Sequence, residues 1–394
     1  MRRPCPFLFK RVAAAVFAAV VGGGTPAWTA AEPTAGPEMD ALIDRGLRDM
    51  YNLDYAGARS SFETLRDDFP DHPIGLYGLA TTLWWELTND YDETNPALER
   101  DFLAAADRAI AVSRDLVKKG DPSGAGRLCL GGALGLKGRW DAIQGRWLSA
   151  YRNGKQAFKI QEDAIRANPG LYDAYLGVGV FHYYVAVLPA AVKVFARLIF
   201  GGSKEQGLRE IHLAREKGRF SRTAAHLFLV NIYVNNEHNP PKALELIREG
   251  RREFPESPFF HLAELLVLDD AGDGPALRAG AEEFLEKTRR ASRHYGWNRE
   301  HVGLLLLGNS RLLEGNPGPA IDVYDQVLTK HFGGDRWVTL TFLHRGMAQD
   351  LQGRRDLAET DYRAVLKRRD VWGLHDKAKA LLRHPYTGPG DQTR

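Results

Sequence analysis

The sequence predicts an all-α protein, a right-handed α-solenoid of about eight helix–turn–helix pairs. Three observations predict it. From Glu38 onward no segment alternates polar and apolar residues as a half-buried strand does. Apolar stripes of helical period come in pairs. A spacing also recurs, with a small residue, a bulky residue four later, and a proline eight beyond that.

The spacing is carried by Ala58, Phe62 and Pro70, and by Ala243, Ile247 and Pro255. Ala157, Gln161 and Pro169 repeat it with a polar residue in the middle. Ala320–Tyr324 and Ala358–Tyr362 keep the first two terms. Glycines stand twelve residues ahead of several of these alanines: Gly46, Gly145, Gly308 and Gly346. Gly177 holds the same place in a unit whose second helix is displaced. The expected geometry has Gly on a first helix facing Ala on the second. The bulky residue, one turn on, plugs the gap to the next pair. Proline then ends the pair. These residues resemble the tetratricopeptide repeat, which implies a stack of helix pairs around one continuous core.

The helices are expected over 39–51 with 54–68, 74–88 with 96–118, 123–140 with 144–167, and 170–185 with 203–217. Then follow 221–236 with 240–253, 258–269 with 273–294, 299–314 with 317–330, and 337–351 with 354–368. A helix over 373–383 caps the array. Asn95-Pro96, Asp121-Pro122 and Asn316-Pro317 each place a capping side chain before a first-turn proline. Ser203-Lys204-Glu205-Gln206 reads as a capping box. No linker divides residues 38–384, which read as a single repeat domain with an insertion at 181–202, and 385–394 reads as a flexible tail.

The first 31 residues read as an address. Arg2, Arg3, Lys10 and Arg11 precede the apolar run Val12–Val21, and small residues follow. This is the layout of a bacterial-type secretory signal cut after Ala27 or Ala31, in a periplasmic or secreted protein. The alternative is an uncleaved anchor, although the run falls well short of the ~20 residues that span a bilayer. A twin-arginine reading of Arg2-Arg3 is spoiled by Pro4-Cys5-Pro6. The full chain has 53 Lys+Arg against 50 Asp+Glu. Removing the signal leaves 49 against 50, a net charge of −1, so the basic character belongs to the address and nucleic acid is not an expected partner. Cleavage also removes Cys5 and leaves Cys129, read as a buried thiol. Two cysteines in all exclude a disulfide framework and a Cys-rich zinc site.

The sequence offers no catalytic set. It lacks His-Glu-x-x-His, Cys-x-x-Cys, Gly-x-Ser-x-Gly and a phosphate-binding loop. His182, His212, His226 and His261 lie in helical stripes and read as structural. Asp67-Asp68, Asp269-Asp270 and Glu282-Glu283 fall at helix ends or on solvated faces. No cofactor and no metal is expected.

Two regions remain as binding candidates. The first is the inner face, where first helices would present Tyr77, Thr81, Trp84, Trp85, Phe228, Asn235 and Asn309 to a protein or peptide partner. Aromatic anchors bury much area at small entropic cost. Two core tryptophans in an ordinary helix are the competing reading of Trp84-Trp85. A clamp for a peptide carboxylate is not expected, because Leu305 stands where a lysine would be needed.

The second region is the apolar stretch 181–200, with Phe181, Pro189, Lys193, Phe195, Arg197 and Phe200. Pro189 interrupts it, and Lys193 and Arg197 make a basic stripe. It reads as an extra packed helix, as a lip or pocket floor that takes lipid or another apolar ligand, or as a membrane span. Gly179, Phe181, Leu188, Pro189, Phe200, Gly201, Ser203, Gly207 and Leu208 are also similar to a signature in a eukaryotic tetratricopeptide family linked to inclusion-body clearance and lipid handling. That resemblance implies a helical-repeat protein with no catalytic residues to carry over.

Overall fold

Helices α1 (Gly36–Tyr51) and α2 (Tyr55–Asp68) show the unit from which the chain is built. The structure is a computed structural model that describes residues 36–89, 95–187, 203–296, 299–330 and 335–388. Asp54 ends the turn between the two helices by accepting a hydrogen bond from Gly57 N at 3.0 Å. The α1 stripe Met39, Ile43, Gly46 and Met50 is buried, and α2 meets it with Ala58, Phe62 and Leu65. A Cβ added at Gly46 would come within 2.7 Å of the Phe62 ring. The other side of that ring presses on Gly78 of α3 (Ile74–Asn89). One aromatic side chain thus seats in two glycine notches, one in its own pair and one in the next.

The chain then adds α4 (Pro96–Lys118), α5 (Ala125–Ile143), α6 (Trp147–Ala167), α7 (Ala174–Ala186), α8 (Lys204–Lys217) and α9 (Arg222–Asn235). After these come α10 (Pro240–Glu253), α11 (Pro258–Ala271), α12 (Gly274–Arg289) and α13 (Glu300–Leu313). The last are α14 (Pro317–Thr329), α15 (Asp335–Leu351), α16 (Arg355–Leu366) and α17 (Leu374–Arg383). Among the described residues all elements are helices, and from α1 to α8 and from α10 to α17 each helix packs on the next as the repeat predicts. Helix α12 stops at Arg289, short of the expected 294, because Ala291 and His294 take positive φ values of 48° and 67°.

The sequence reads as one array over 38–384, whereas the chain divides into two compact units at Ile232–Tyr233, inside α9. In the N-terminal unit, Arg219 reaches Asp40 at 2.9 Å and Asp44 at 3.2 Å. The turn before α9 therefore lies beside α1. The C-terminal unit repeats the ring-and-notch packing. Tyr324 of α14 presses on Gly308 of α13, and Tyr362 of α16 on Gly346 of α15. Both hydroxyls donate, Tyr324 to Asn309 Oδ1 at 2.9 Å and Tyr362 to Asp350 Oδ2 at 2.7 Å.

Several local expectations need correction. The notch glycines face the bulky residue of the second helix rather than its alanine. Gly145 is no notch: it is a turn residue with φ +72°, and the notches in that region are Gly131 of α5 and Gly177 of α7, which close on Gln161 of α6. Asp121 does not precede a helix start. It caps α5 from further back, accepting from Gly126 N at 2.9 Å and Arg127 N at 3.0 Å. Ser203 caps α8, but Gln206 Nε2 donates to Glu210 Oε1 instead of completing a capping box. The tail begins later than residue 385, since Tyr386 is buried and its N–H donates to Asp350 Oδ2 at 2.9 Å.

The notches predict opposite outcomes for one substitution. Gly308→Ala drives a Cβ into the Tyr324 ring and should cost ~1–3 kcal/mol. Gly154→Ala, where a Cβ meets nothing within 4 Å, should be neutral or stabilise by about 0.5–1 kcal/mol. Urea melts of the two variants check the pair, and equal effects would contradict the notch.

Candidate functional site: an apolar cavity in the N-terminal unit

Helix α5 carries Gly131, Gly135 and Gly138 at helical spacing, with Gly132 beside them. Their missing side chains let α5 lie close to its neighbours. Gly131 receives the Gln161 side chain and Gly132 the Tyr77 hydroxyl end. At Gly138 a Cβ would stand 3.2 Å from Gly154 N on α6. Beside this contact the small residues of α5 and α6 leave space that no described side chain fills. The result is a cavity of about 470 Å³, walled by α5, α6 and α7 with Tyr77 of α3. Its lining is overwhelmingly apolar, with Ala150, Ala157, Phe158, Leu176, Val180 and Phe181 prominent.

Several polar residues of the lining also hold the frame together, although Asp173 Oδ2 is buried with no hydrogen-bond partner. Asp173, at the start of α7, is fully buried. Its Oδ1 accepts from Phe220 N at 3.0 Å and from the Ser221 N–H and hydroxyl, each at 2.7 Å. This ties α7 to the turn before α9. Burial outweighs those hydrogen bonds and raises the Asp173 carboxyl to about 6. Arg139 lays its guanidinium over Trp84 at 5.0 Å and Phe228 at 5.9 Å. Burial draws its pKa well below the ordinary arginine value. Tyr184 donates to Asn231 Oδ1 at 3.2 Å, and burial pushes its phenol up.

The inner-face residues are placed as follows. Tyr77, Thr81, Trp84, Trp85, Phe228 and Asn309 are all buried, and Asn235 is half-buried. Trp85 meets Tyr51 edge-on at 5.3 Å, and the Thr81 hydroxyl donates back to Tyr77 O at 2.8 Å. Trp84 and Phe228 are brought together around Arg139, and Tyr77 reaches the cavity. Asn235 and Asn309 belong to the other unit. Asn309 is held there by Asp269, Tyr324 and His344. Phe181 lines the cavity, stacked on Phe158 at 4.3 Å. Pro189, Lys193, Phe195, Arg197 and Phe200 lie outside the described residues, as do residues 1–31.

The exposed aromatics lie where the sequence reading did not look. Trp147 is 71% exposed, Leu148 63% and Tyr151 50%. They occupy the first turns of α6, and Trp147 and Tyr151 share a stripe with Ala150 and Gly154 of the cavity wall. The available signal was that Trp147, Leu148 and Tyr151 precede the packing position Ala157 by six to ten residues, about one and a half to three turns of helix.

Several histidines have partners. His182 Nδ1 is 2.7 Å from Glu210 Oε2. His261 Nδ1 is 3.1 Å from the Tyr295 hydroxyl and its Nε2 3.1 Å from Gly280 O, and burial lowers its pKa to about 4. Burial pushes the Cys129 thiol up, away from reactivity. Among the described residues, no three His, Cys, Asp or Glu side chains could hold a metal ion, and no helix is long and apolar enough to cross a membrane.

The fold defines a class, an all-α protein built of helix–turn–helix repeats of the tetratricopeptide kind. No family model matches the chain, and no curated protein matches its sequence. Solved structures similar to it include a tetratricopeptide repeat protein from Parabacteroides merdae, at 11% identity and TM-score 0.35, covering 88% of this chain and 98% of that one. Another is the Cut9–Hcn1 hetero-tetramer of the APC/C, at 15% and 0.30, covering 84% and 67%. A third is the TPR domain of P58(IPK), at 14% and 0.23, covering 89% and 99%. At these scores the repeat assignment rests on the chain's own helix pairs.

Asp173 makes a pH prediction. Its folded pKa lies above the ordinary 3.8, so its contribution is intact below that value and is lost as pH rises through about 6. Relative to wild type, Asp173→Asn should gain up to roughly 3 kcal/mol of stability between pH 4 and pH 8. Denaturation midpoints at the two pH values measure it, and a difference that does not change with pH would refute the assignment.

Proposed function

We propose that the protein is an exported, non-catalytic repeat scaffold that binds protein partners through the N-terminal unit. The observation that carries this reading is the exposed Trp147–Leu148–Tyr151 cluster. Large aromatic side chains held in water on a rigid helix cost solvation and gain it back when a partner covers them. The repeat architecture supports the same reading, since such arrays act by presenting surface. This reading takes the partner site to be the start of α6 rather than Trp84 and Tyr77, which are buried. Export is supported by the basic, apolar and small-residue order of residues 1–31.

Crosslinking in intact cells, followed by recovery of the protein, tests the partner site. Trp147→Ala with Tyr151→Ala should lose the partner that wild type retains, at an unchanged melting temperature. Leu357→Ala, at another exposed apolar residue, should keep it. A folded double variant that still recovers the partner would sink the proposal. For export, the intact mass of protein from the periplasm or medium should correspond to a chain starting at Trp28 or Glu32. An uncut chain confined to the cytoplasm would be the contrary result.

A further inference from the structure

Two polar side chains of the cavity wall are buried with hydrogen-bonding capacity left over. Asp173 is fully buried, and its Oδ1 takes the hydrogen bonds from Phe220 and Ser221. Its Oδ2 accepts none. Gln161 of α6 is 6% exposed, and its carboxamide has no hydrogen-bond partner among the described residues. Both residues line the cavity. A buried polar atom left unmatched costs its full desolvation, and the cost is greatest for a charged group.

These two groups share one end of the cavity. Gly177 lies one helical turn on from Asp173, and its bare backbone is what receives the Gln161 carboxamide. Arg139 and Tyr184 also line the cavity, and Tyr184 is the group that acts on the Arg139 charge. Tyr184 follows Asp173 along α7 by about 16 Å of helix rise. Between these positions α7 presents Leu176, Val180 and Phe181 to the space. The lining therefore runs from a carboxylate, through an apolar wall, to a guanidinium.

We infer that the cavity binds a primary monoamine with an apolar body, its ammonium donating to Asp173 Oδ2 and to the Gln161 carboxamide oxygen. An ammonium carries three donors and no acceptor, so it can satisfy both oxygens at once and neutralise the buried carboxylate. A hydroxyl brings one donor and no charge. A carboxylate in the same place would meet Asp173 as a like charge. The apolar body lies along Leu176, Val180 and Phe181, and the Arg139 charge disfavours a second ammonium further along. A volume of about 470 Å³ is in the range of small-molecule sites. The inference does not rest on partner binding at Trp147, because neither Asp173 nor Gln161 belongs to that surface cluster.

The test is calorimetric titration of the full chain at pH 8, where Asp173, raised to about 6, is ionised. The probes are octylamine, octanol and octanoate, of equal chain length. Octylamine should bind roughly tenfold or more tightly than either of the others, the difference expected for a hydrogen-bonded ion pair. Asp173→Asn keeps an oxygen for Phe220 and Ser221 but sets an N–H donor in the place of Oδ2. It should remain folded and lose the preference for octylamine. Three results would each overturn the inference: no binding of octylamine, binding of octanol or octanoate as tight as that of octylamine, or an undiminished preference in folded Asp173→Asn. Octanoate as the tightest probe would put the polar end at Arg139 instead. The comparison of probes on the wild-type chain decides the matter even if the variant does not fold.

Discussion

The structure depends on an aromatic ring seated against bare backbone. Phe62 between Gly46 and Gly78 is the pattern, and Tyr324 on Gly308 and Tyr362 on Gly346 repeat it. Each glycine inside a helix costs about 0.5–1 kcal/mol of propensity. That cost is offset because the ring is wholly buried and the helices close to a distance that a Cβ would forbid. The lock is local and directional. It fixes which face of one helix meets which face of the next, and so it propagates along the chain.

The cavity arises where this lock is altered. In the third pair the seat is filled by Gln161, lying between Gly131 and Gly177, and not by a ring. Helix α6 is also long, and its packing residues Ala157, Phe158 and Gln161 lie in its second half. Its first turns extend past the seat, where Ser149 and Asn153 donate to Asp141 of α5 and the small Ala150 and Gly154 lie against the same helix. A slimmer plug and small residues on two facing helices leave a volume that a Phe or Tyr in the Gln161 place, or a larger residue at Gly154, would have filled. The exposed Trp147 and Tyr151 follow from the same overhang.

Much of this architecture was readable because glycine, proline and the capping residues act through short-range sterics. Ala58–Phe62–Pro70 marks a helix face and a helix end by spacing alone. The reading failed where long-range contact decides. Trp84 and Phe228 are far apart in sequence, and nothing local says that both will face Arg139. Asp121 looked like a cap for the residue after it, yet a positive φ of 33° turns its carboxylate to Gly126 and Arg127 instead. Gly145 matched the notch spacing by coincidence, because the length of α6 shifted the true seat to Gly131. The cavity left no mark of its own, since an apolar wall facing a void has the same composition as one facing a neighbour.

The buried charges of the N-terminal unit gain a reason from the cavity. An apolar volume of this size would be expected to collapse, since closing it recovers dispersion contacts along its whole wall. Collapse requires α5, α6 and α7 to slide together. Asp173 holds the start of α7 to the turn ahead of α9 by hydrogen bonds that a shift would break. Arg139 holds α5 between the rings of α3 and α9. Both groups carry a desolvation cost, seen in the raised Asp173 and lowered Arg139 pKa values, and breaking either tie would leave a charge buried without its contacts. Polar ties on α7 and α5 therefore oppose the closure of the apolar wall.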